Sequence, residues 1–362
     1  MKQSFNVGVI GATGMVGQRF ALLLADHPWF KVTVLAASPR SAGQRYEDAV
    51  KGRWAMPAPI PAKFADMMVY DAARVDDIAA QCDFVFCAID LPKAETRALE
   101  EAYAKAETPV VSNNSACRAL SDVPMMVPEI NADHAALIPF QRQRLGTQRG
   151  FIAVKPNCSI QSYVPAITPL MSYGPKSLAV CTYQAISGAG KTFESMPEII
   201  DNIIPYIGGE EEKSEREPLK IWGRMENGAV IDAAAPLITA QCLRVPCSDG
   251  HMAAVFASFE KRPEKQAMLD AWASFEGEPQ KLRLPSAPTP FIKYCEEDNR
   301  PQTKLDRDFG NGMGVTIGRL REDALFQWRF VSLSHNTLRG AAGGGVLTAE
   351  LLCAKEWIIP KA

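Results

Sequence analysis

The residues Lys155-Pro156-Asn157-Cys158-Ser159 stand directly before Ile160–Leu170, a stretch whose pattern predicts a helix. A cysteine at a helix start lies in the field of unpaired backbone N–H groups. That field favours the thiolate, the form that attacks carbonyl carbon. An unperturbed thiol is only about 3% ionised at neutral pH, so its placement decides its reactivity. Most free cysteines are buried and inert, so the pentapeptide needs company. It has some: a glycine-rich turn near the N-terminus, His251 shortly after Arg244-Val245-Pro246, and the charged run Glu210-Glu211-Glu212-Lys213. Nucleophilic acyl chemistry with a base and charged substrate contacts is the reaction type these residues suggest. A lone histidine is more often structural, and a run such as 210–213 is more often a solvated face.

The nine cysteines are scattered, without a CxxC pair and without a Cys/His cluster at zinc-ligand spacing. Free thiols, a reducing cytoplasm and no metal are expected. The net charge of −2 gives no reason to expect nucleic acid or an acidic membrane surface. No apolar run approaches the roughly 18 residues of a membrane span, and the chain enters a strand at Phe5 without a signal-peptide h-region. A chain of 362 residues, 47% of them hydrophobic, is expected to form two domains.

The N-terminal part reads as a nucleotide fold. Val7–Ile10 is a short apolar run, as in a strand buried on both faces. It passes into Gly11-Ala12-Thr13-Gly14-Met15-Val16-Gly17, then a helical stretch over Gln18–His27 and a strand over Lys31–Ala37. Strand, glycine turn, helix, strand is the opening of a doubly wound sheet, and such a turn admits a pyrophosphate at the helix N-terminus. The second strand ends in Ala36-Ala37-Ser38-Pro39-Arg40-Ser41, where an NAD site usually carries a carboxylate for the ribose. Ser38 and Arg40 suit a 2′-phosphate, so NADP(H) is the expected cofactor. The alternative for Arg40 is a solvated loop residue.

Further alternation follows, with a strand at Asp83–Ile89, a helix over Pro92–Lys105 and a strand at Pro109–Ser112 leading into the loop Asn113–Arg118. Ligands of such sheets bind beyond the carboxyl ends of strands, which brings that loop near cofactor or substrate. Gln141–Gly150 reads as an exposed loop. Beyond Asn157 the pattern changes: strands over 177–184, 252–259 and 314–319 mix with helices over 193–204 and 263–275. This predicts an α+β domain with a mostly antiparallel sheet. The small-residue run 338–353 predicts a closing helix packed on the nucleotide domain, because exposed helical glycines are costly. The expected architecture is α/β: residues 1–156, completed by 334–362, form a Rossmann-type NADP-binding domain, and 157–333 a catalytic and dimerisation domain.

Together, the glycine turn 11–17, Asn157-Cys158-Ser159, Gln184–Gly190, Arg244-Val245-Pro246 with Gly250-His251, and Asn336–Gly340 resemble the aspartate-β-semialdehyde dehydrogenases over nearly the whole chain. The segment 204–219 is similar to their archaeal and fungal branch. The resemblance implies reversible reductive dephosphorylation of β-aspartyl phosphate to aspartate semialdehyde with NADPH, at the entry to lysine, methionine and threonine synthesis. It implies Cys158 as nucleophile, His251 as acid/base, and Gln184 and Asn157 as orienting groups. Arg244 then holds the α-carboxylate, Glu210 the α-ammonium, with Glu211 and Glu212 as alternatives, and Lys213 and Arg118 the phosphate. The cofactor falls to Gly11, Thr13, Gly14, Met15, Val16, Ser38, Arg40, Ser41, Ser187, Gly188 and Asn336. A homodimer or homotetramer follows from the same likeness. Acyl-CoA reduction of the malonyl-CoA type is the alternative activity, with acetylglutamyl-phosphate reduction less favoured. A non-catalytic NADP sensor is the alternative of another class.

Overall fold

The computed structural model describes residues 4–361. Its first sheet is built from β1 (Phe5–Ile10), β2 (Phe30–Ala37), β3 (Val69–Asp71), β4 (Phe84–Cys87), β5 (Val110–Ser112) and β6 (Ile152–Val154). They lie in the order β3-β2-β1-β4-β5-β6, all parallel. The apolar runs make sense in this setting. Val7, Val9, Phe84, Val85 and Phe86 are buried because helices cover both faces of such a sheet. The helix after the glycine turn runs Met15–Leu24, three residues earlier at each end than the sequence pattern suggests, since Gly14 already serves as its N-cap. A longer helix of this half runs Lys93–Lys105, close to its expected span.

Gln141–Gly150 is not the exposed loop expected. Residues Ile138–Leu145 are helical, capped by Gly146 in the left-handed region at φ 72°. Gln141 is buried, and its amide pairs with both backbone groups of Ile152 at 2.8 and 2.6 Å. It thereby satisfies the free edge of β6, a long-range role invisible in local composition.

The second sheet contains β7 (Pro175–Gln184), β10 (Leu237–Arg244), β11 (His251–Phe259), β12 (Ile292–Cys295), β13 (Val315–Glu322) and β14 (Trp328–Ser334), in the order β10-β7-β11-β14-β13-β12. A separate hairpin joins β8 (Arg224–Glu226) to β9 (Ala229–Ile231). The inner pairs of the large sheet are antiparallel and both outer pairs are parallel. The sheet is therefore mixed, with an antiparallel centre. Burial alternates along β7 and β11, so one face lies in the core and the other is half-open.

Two predicted helices do not form as drawn. Ile160–Leu170 breaks into short turns, Ser159–Ser162, Val164–Ile167 and Thr168–Tyr173. Pro165 and Pro169 remove the N–H groups a continuous helix needs. Phe193–Ile204 holds only one short turn, Pro197–Ile199, because Met196 before Pro197 takes φ −142°. The helix Glu210–Ile221 does form, with Pro218 inside it. That proline leaves the Ser214 carbonyl without its helical partner, and the Tyr163 hydroxyl donates to it at 2.5 Å. This bond ties the helix to the segment carrying Cys158.

The closing run forms a wide turn, Leu338–Ala342, followed by the helix Gly343–Ala354, buried almost throughout. Gly345 packs where a Cβ would sit 3.1 Å from Phe20 and 3.2 Å from Asn113, which is why a small residue is needed there. Arg339 makes a bidentate pair with Glu129 at 2.6 and 2.5 Å, both groups nearly sealed from solvent. Arg339 also lies over the Phe291 ring, 4.7 Å from its centroid. Removing one partner of such a pair strands the other charge in the interior. Glu129→Ala is expected to lower unfolding stability by about 3–5 kcal/mol. Urea denaturation measures it, and a loss under about 1 kcal/mol would mean that Arg339 finds other compensation.

Candidate active site

The two sheets deliver their functional residues to one region by strand direction. Gly11, Ser38, Asn113 and the segment 155–158 all follow the carboxyl ends of the parallel strands β1, β2, β5 and β6. In the second sheet Arg244 and Gln184 are direct partners at the ends of the parallel strands β10 and β7. β11 runs the other way, so its first residue, His251, lies at that same end opposite Ser334. Asn336 follows two residues later.

Cys158 Sγ lies 3.5 Å from His251 Nε2. His251 is fully buried, and its Nδ1 accepts the Ala185 N–H at 3.0 Å. The neutral ring thus carries its proton on Nε2, facing sulfur. Burial and the nearby Arg244 push the imidazole down to about 3, which keeps it neutral, while the Gly250 carbonyl favours its charged form. Burial and then the Glu210 charge raise the Cys158 thiol, opposed by Lys155, Arg118 and Arg244. The expectation of a helix-start thiolate is therefore corrected. No regular helix follows Cys158; burial and then the surrounding side-chain charges set its ionisation.

Arg244 is buried, with one guanidinium nitrogen donating to the Ala185 carbonyl at 2.7 Å. Gly188 is exposed, yet a Cβ there would lie 3.0 Å from both Arg244 Nη1 and His251 Nε2. The missing side chain leaves open space over these two groups. On the opposite side, a Cβ at Gly340 would come within 2.9 Å of the Cys158 Cβ. The nucleophile is wedged against the closing turn.

A second cluster centres on Glu210, capped behind by Gly209 at φ 71°. Its carboxylate accepts Asn157 Nδ2 at 2.9 and 3.0 Å, Gln184 Nε2 at 3.3 Å and Lys213 Nζ at 2.8 Å. Of the three glutamates, Glu210 alone faces Asn157 and Gln184. Glu211 accepts bonds from Gln241 and the Cys242 N–H, bracing β10, and Glu212 is exposed. Arg118 pairs with Glu217 at 2.9 Å and donates to the Asn113 carbonyl at 3.1 Å. The other Glu217 oxygen accepts the Asn157 N–H at 2.5 Å. Arg118 and Lys213 line one cleft of about 870 Å³, with Ser115 and Gly209. Both phosphate candidates are thus held in ion pairs that an incoming anion can exchange.

Lys155 opens the Cys158 motif, which by itself assigns the lysine no role. It is almost completely buried, donates to the Pro156 carbonyl at 2.6 Å, and is pushed down to about 7 by desolvation and by Arg118. Its signal was a lysine directly continuing the apolar strand Ile152–Val154. Glu217, which joins Arg118 to Asn157, was also missed, and nothing in its helical spacing marks it.

The nucleotide side fits a dinucleotide. Gly11 has φ 88°, and a Cβ there would strike the Ala88 carbonyl at 2.4 Å. The helix that begins at Met15 has neither a side-chain cap nor an acid in its first turn, so its N–H groups remain available to an anion. Thr13, Met15 and Val16 are partly exposed along this turn, Ser38 and Arg40 lie at the surface after β2, and Ser41 is buried beside them. Both polar atoms of the Asn113 amide are buried without a protein partner at the edge where a ligand would lie. Asn336 is more occupied than expected. Its Oδ1 accepts the Gly250 N–H and its Nδ2 donates to Ser187, each at 2.8 Å, so it also braces the His251 strand against the Ser187–Gly188 turn. Among the described residues, no group of three or more His, Cys, Asp and Glu is arranged to hold a metal. No helix among them is long and apolar enough to cross a membrane.

Comparison with known proteins agrees with this geometry. Residues 6–138 match the model of the semialdehyde dehydrogenase NAD binding domain, and 167–339 that of the semialdehyde dehydrogenase dimerisation domain. The chain is 44% identical to an aspartate-semialdehyde dehydrogenase of Archaeoglobus fulgidus, covering 98% of this chain and 99% of that one. It is 41% identical to the enzyme of that name from Aspergillus fumigatus, covering 97% and 98%. The crystal structure of the Candida albicans aspartate-semialdehyde dehydrogenase with NADP superimposes with a TM-score of 0.88 at 37% identity, covering 98% of this chain and all of that one. The chain belongs to the aspartate-semialdehyde dehydrogenase family.

Proposed function

We propose that this chain interconverts β-aspartyl phosphate and aspartate semialdehyde with NADP(H), through a thioester on Cys158. The observation that carries the reading is the 3.5 Å contact between Cys158 and His251, with Arg244 and Gly188 beside it. In the biosynthetic direction Sγ attacks the acyl carbon, the C–O bond to phosphate breaks, and phosphate departs toward Arg118 and Lys213, carrying off the thiol proton. Bound NADPH supplies a hydride. His251 Nε2–H faces the sulfur and the carbonyl oxygen; it gives its proton to that oxygen as the hydride arrives and takes it back when the thiohemiacetal collapses. Collapse of the thiohemiacetal breaks the C–S bond and frees the aldehyde. Arg244 takes the α-carboxylate and Glu210 the α-ammonium, with Asn157 and Gln184 holding Glu210 in register. Gly11, Thr13, Gly14, Met15 and Val16 cradle the pyrophosphate, Ser38, Arg40 and Ser41 the 2′-phosphate, and Ser187, Gly188 and Asn336 the nicotinamide end.

Substrate charges act on the site as well as binding to it. An ammonium against Glu210 offsets the charge that raises the thiol, while a carboxylate on Arg244 offsets a charge that depresses His251 and also lowers the thiol. Incubation with aspartate semialdehyde and NADP⁺ in phosphate-free buffer tests the intermediate. The Cys158 peptide is expected to gain the mass of an aspartyl thioester, and an unmodified peptide after NADPH has formed contradicts the mechanism.

The division into 1–156 with 334–362, and 157–333, is the working domain assignment, supported by the packing of Gly345 on Phe20 and Asn113. A cytoplasmic homodimer, or a pair of dimers, is the assembly we favour. The half-open face of β7 and β11 carries Tyr183, Met252 and Phe256, and Ile203, Tyr206 and Leu237 are exposed in the same domain. Apolar surface of this kind needs cover.

A further inference from the structure

The excursion between β2 and β3 is fastened to the glycine turn by buried side chains. The Tyr46 hydroxyl donates to the Ala12 carbonyl at 2.9 Å. Gln18, only 2% exposed, donates to the carbonyls of Thr13 and Arg53 at 3.0 and 2.9 Å and accepts the Ala55 N–H at 2.9 Å. The pyrophosphate turn and residue 53 are therefore held in one rigid frame. From this frame the Arg53 guanidinium reaches back to the Ser41 hydroxyl at 3.4 Å and to the Ala49 carbonyl. Ser41 itself closes a turn on the Ser38 carbonyl at 2.9 Å.

The charges around this turn are unequal. Arg45 is paired with Glu47 and with Asp66 at 2.6 Å. Among the described residues, neither Arg40 nor Arg53 has a carboxylate within ion-pair distance. Arg53, in reach of the Ser41 hydroxyl, and the exposed Arg40 are thus cations without a carboxylate partner on or beside the turn 38–41 at the end of β2. A dianionic phosphate ester complements such a set, because guanidinium forks and hydroxyls can all donate to it.

We propose that Arg53, twelve residues beyond Ser41 in sequence, is a specificity-determining contact for the 2′-phosphate of the cofactor and acts together with Arg40. This rests on the NADP reading above. The frame built on Gln18 and Tyr46 sets its distance from the pyrophosphate turn, so the two phosphate sites are bound as one unit.

The test is equilibrium binding of NADP⁺ and of NAD⁺, by calorimetry, to the wild-type enzyme and to Arg53→Ala, Arg53→Lys and Arg40→Ala. Arg53→Ala is expected to weaken NADP⁺ about tenfold, the value of one charge-assisted contact partly screened by solvent, and to leave NAD⁺ within about twofold. Arg53→Lys keeps the charge and is expected to recover part of the loss. Arg40→Ala is expected to act in the same direction. The NADP⁺ advantage of the wild type is expected to shrink with added salt, and to shrink less in Arg53→Ala. Equal weakening of both nucleotides makes Arg53 structural and overturns the proposal, as does an unchanged NADP⁺ affinity in Arg53→Ala while the wild type still prefers NADP⁺. A wild type that binds NAD⁺ as tightly as NADP⁺ overturns the cofactor reading itself, and the proposal with it.

Discussion

Cys158→Ser is expected to lose on the order of 10³-fold or more in kcat/KM for aspartate semialdehyde, with NADPH affinity almost unchanged. A serine hydroxyl keeps the size of the side chain, so the wedge against Gly340 remains. What disappears is the nucleophile. An alkoxide is far harder to generate than a thiolate, and His251, neutral with Nε2–H already facing residue 158, is a poor base for a hydroxyl. The contacts proposed for the pyrophosphate and the 2′-phosphate follow β1 and β2, away from the substituted atom. Steady-state kinetics and fluorescence titration with NADPH read the two halves separately. Activity within a few-fold of wild type excludes the covalent route, and a parallel loss of NADPH binding means that the substitution has disturbed the fold.

The second large effect separates substrate charges. Arg244→Ala removes the partner of a desolvated carboxylate, a loss of roughly 2–5 kcal/mol in such sites. In kcat/KM that is about 30- to several-thousand-fold. Glu210→Gln preserves shape and removes charge, with two opposed consequences. Turnover of aspartate semialdehyde is expected to fall, because the ammonium has lost its counter-charge. Succinate semialdehyde, which lacks only the amino group, is expected to be almost unaffected. Meanwhile the free thiol becomes more acidic. Glu210 is the charge that contributes most to raising Cys158, so its removal shifts the alkylation profile toward lower pH. A more reactive cysteine in a less active enzyme is hard to obtain from general misfolding. Equal losses on both aldehydes, or an alkylation profile moved upward, overturn the role given to Glu210.

How much of this was legible in the sequence depended on how local each signal was. The glycine turn, the apolar strands and the missing carboxylate after β2 announced the nucleotide half, because each feature acts within a few residues. Cys158, His251, Arg244 and Gln184 were legible through family likeness, and their convergence has a simple cause. Parallel β10 and antiparallel β11 bring residues far apart in sequence to one end of β7. No periodicity encodes that. The apolar spacing of 160–170 suggests a helix after Cys158, but Pro165 and Pro169 break it into turns. The helix at 193–204 failed in the same way at Pro197. Gln141 reads as a loop residue in local sequence because its partner, the edge of β6, is invisible there. Lys155 and Glu217 were overlooked because their importance is electrostatic, and a lysine in a motif or a glutamate on a polar helix has no distinctive spacing. Which of Glu210, Glu211 and Glu212 faces Asn157 and Gln184 depends on the helix phase, set from the left-handed Gly209.

The most direct measurement is NADP⁺ reduction by the wild-type enzyme with aspartate semialdehyde, followed with and without inorganic phosphate, and with coenzyme A in its place. Sustained NADPH formation that requires phosphate, saturates with it and yields β-aspartyl phosphate is the predicted result. Turnover that proceeds with coenzyme A and not with phosphate, or no turnover with phosphate at all, would contradict it.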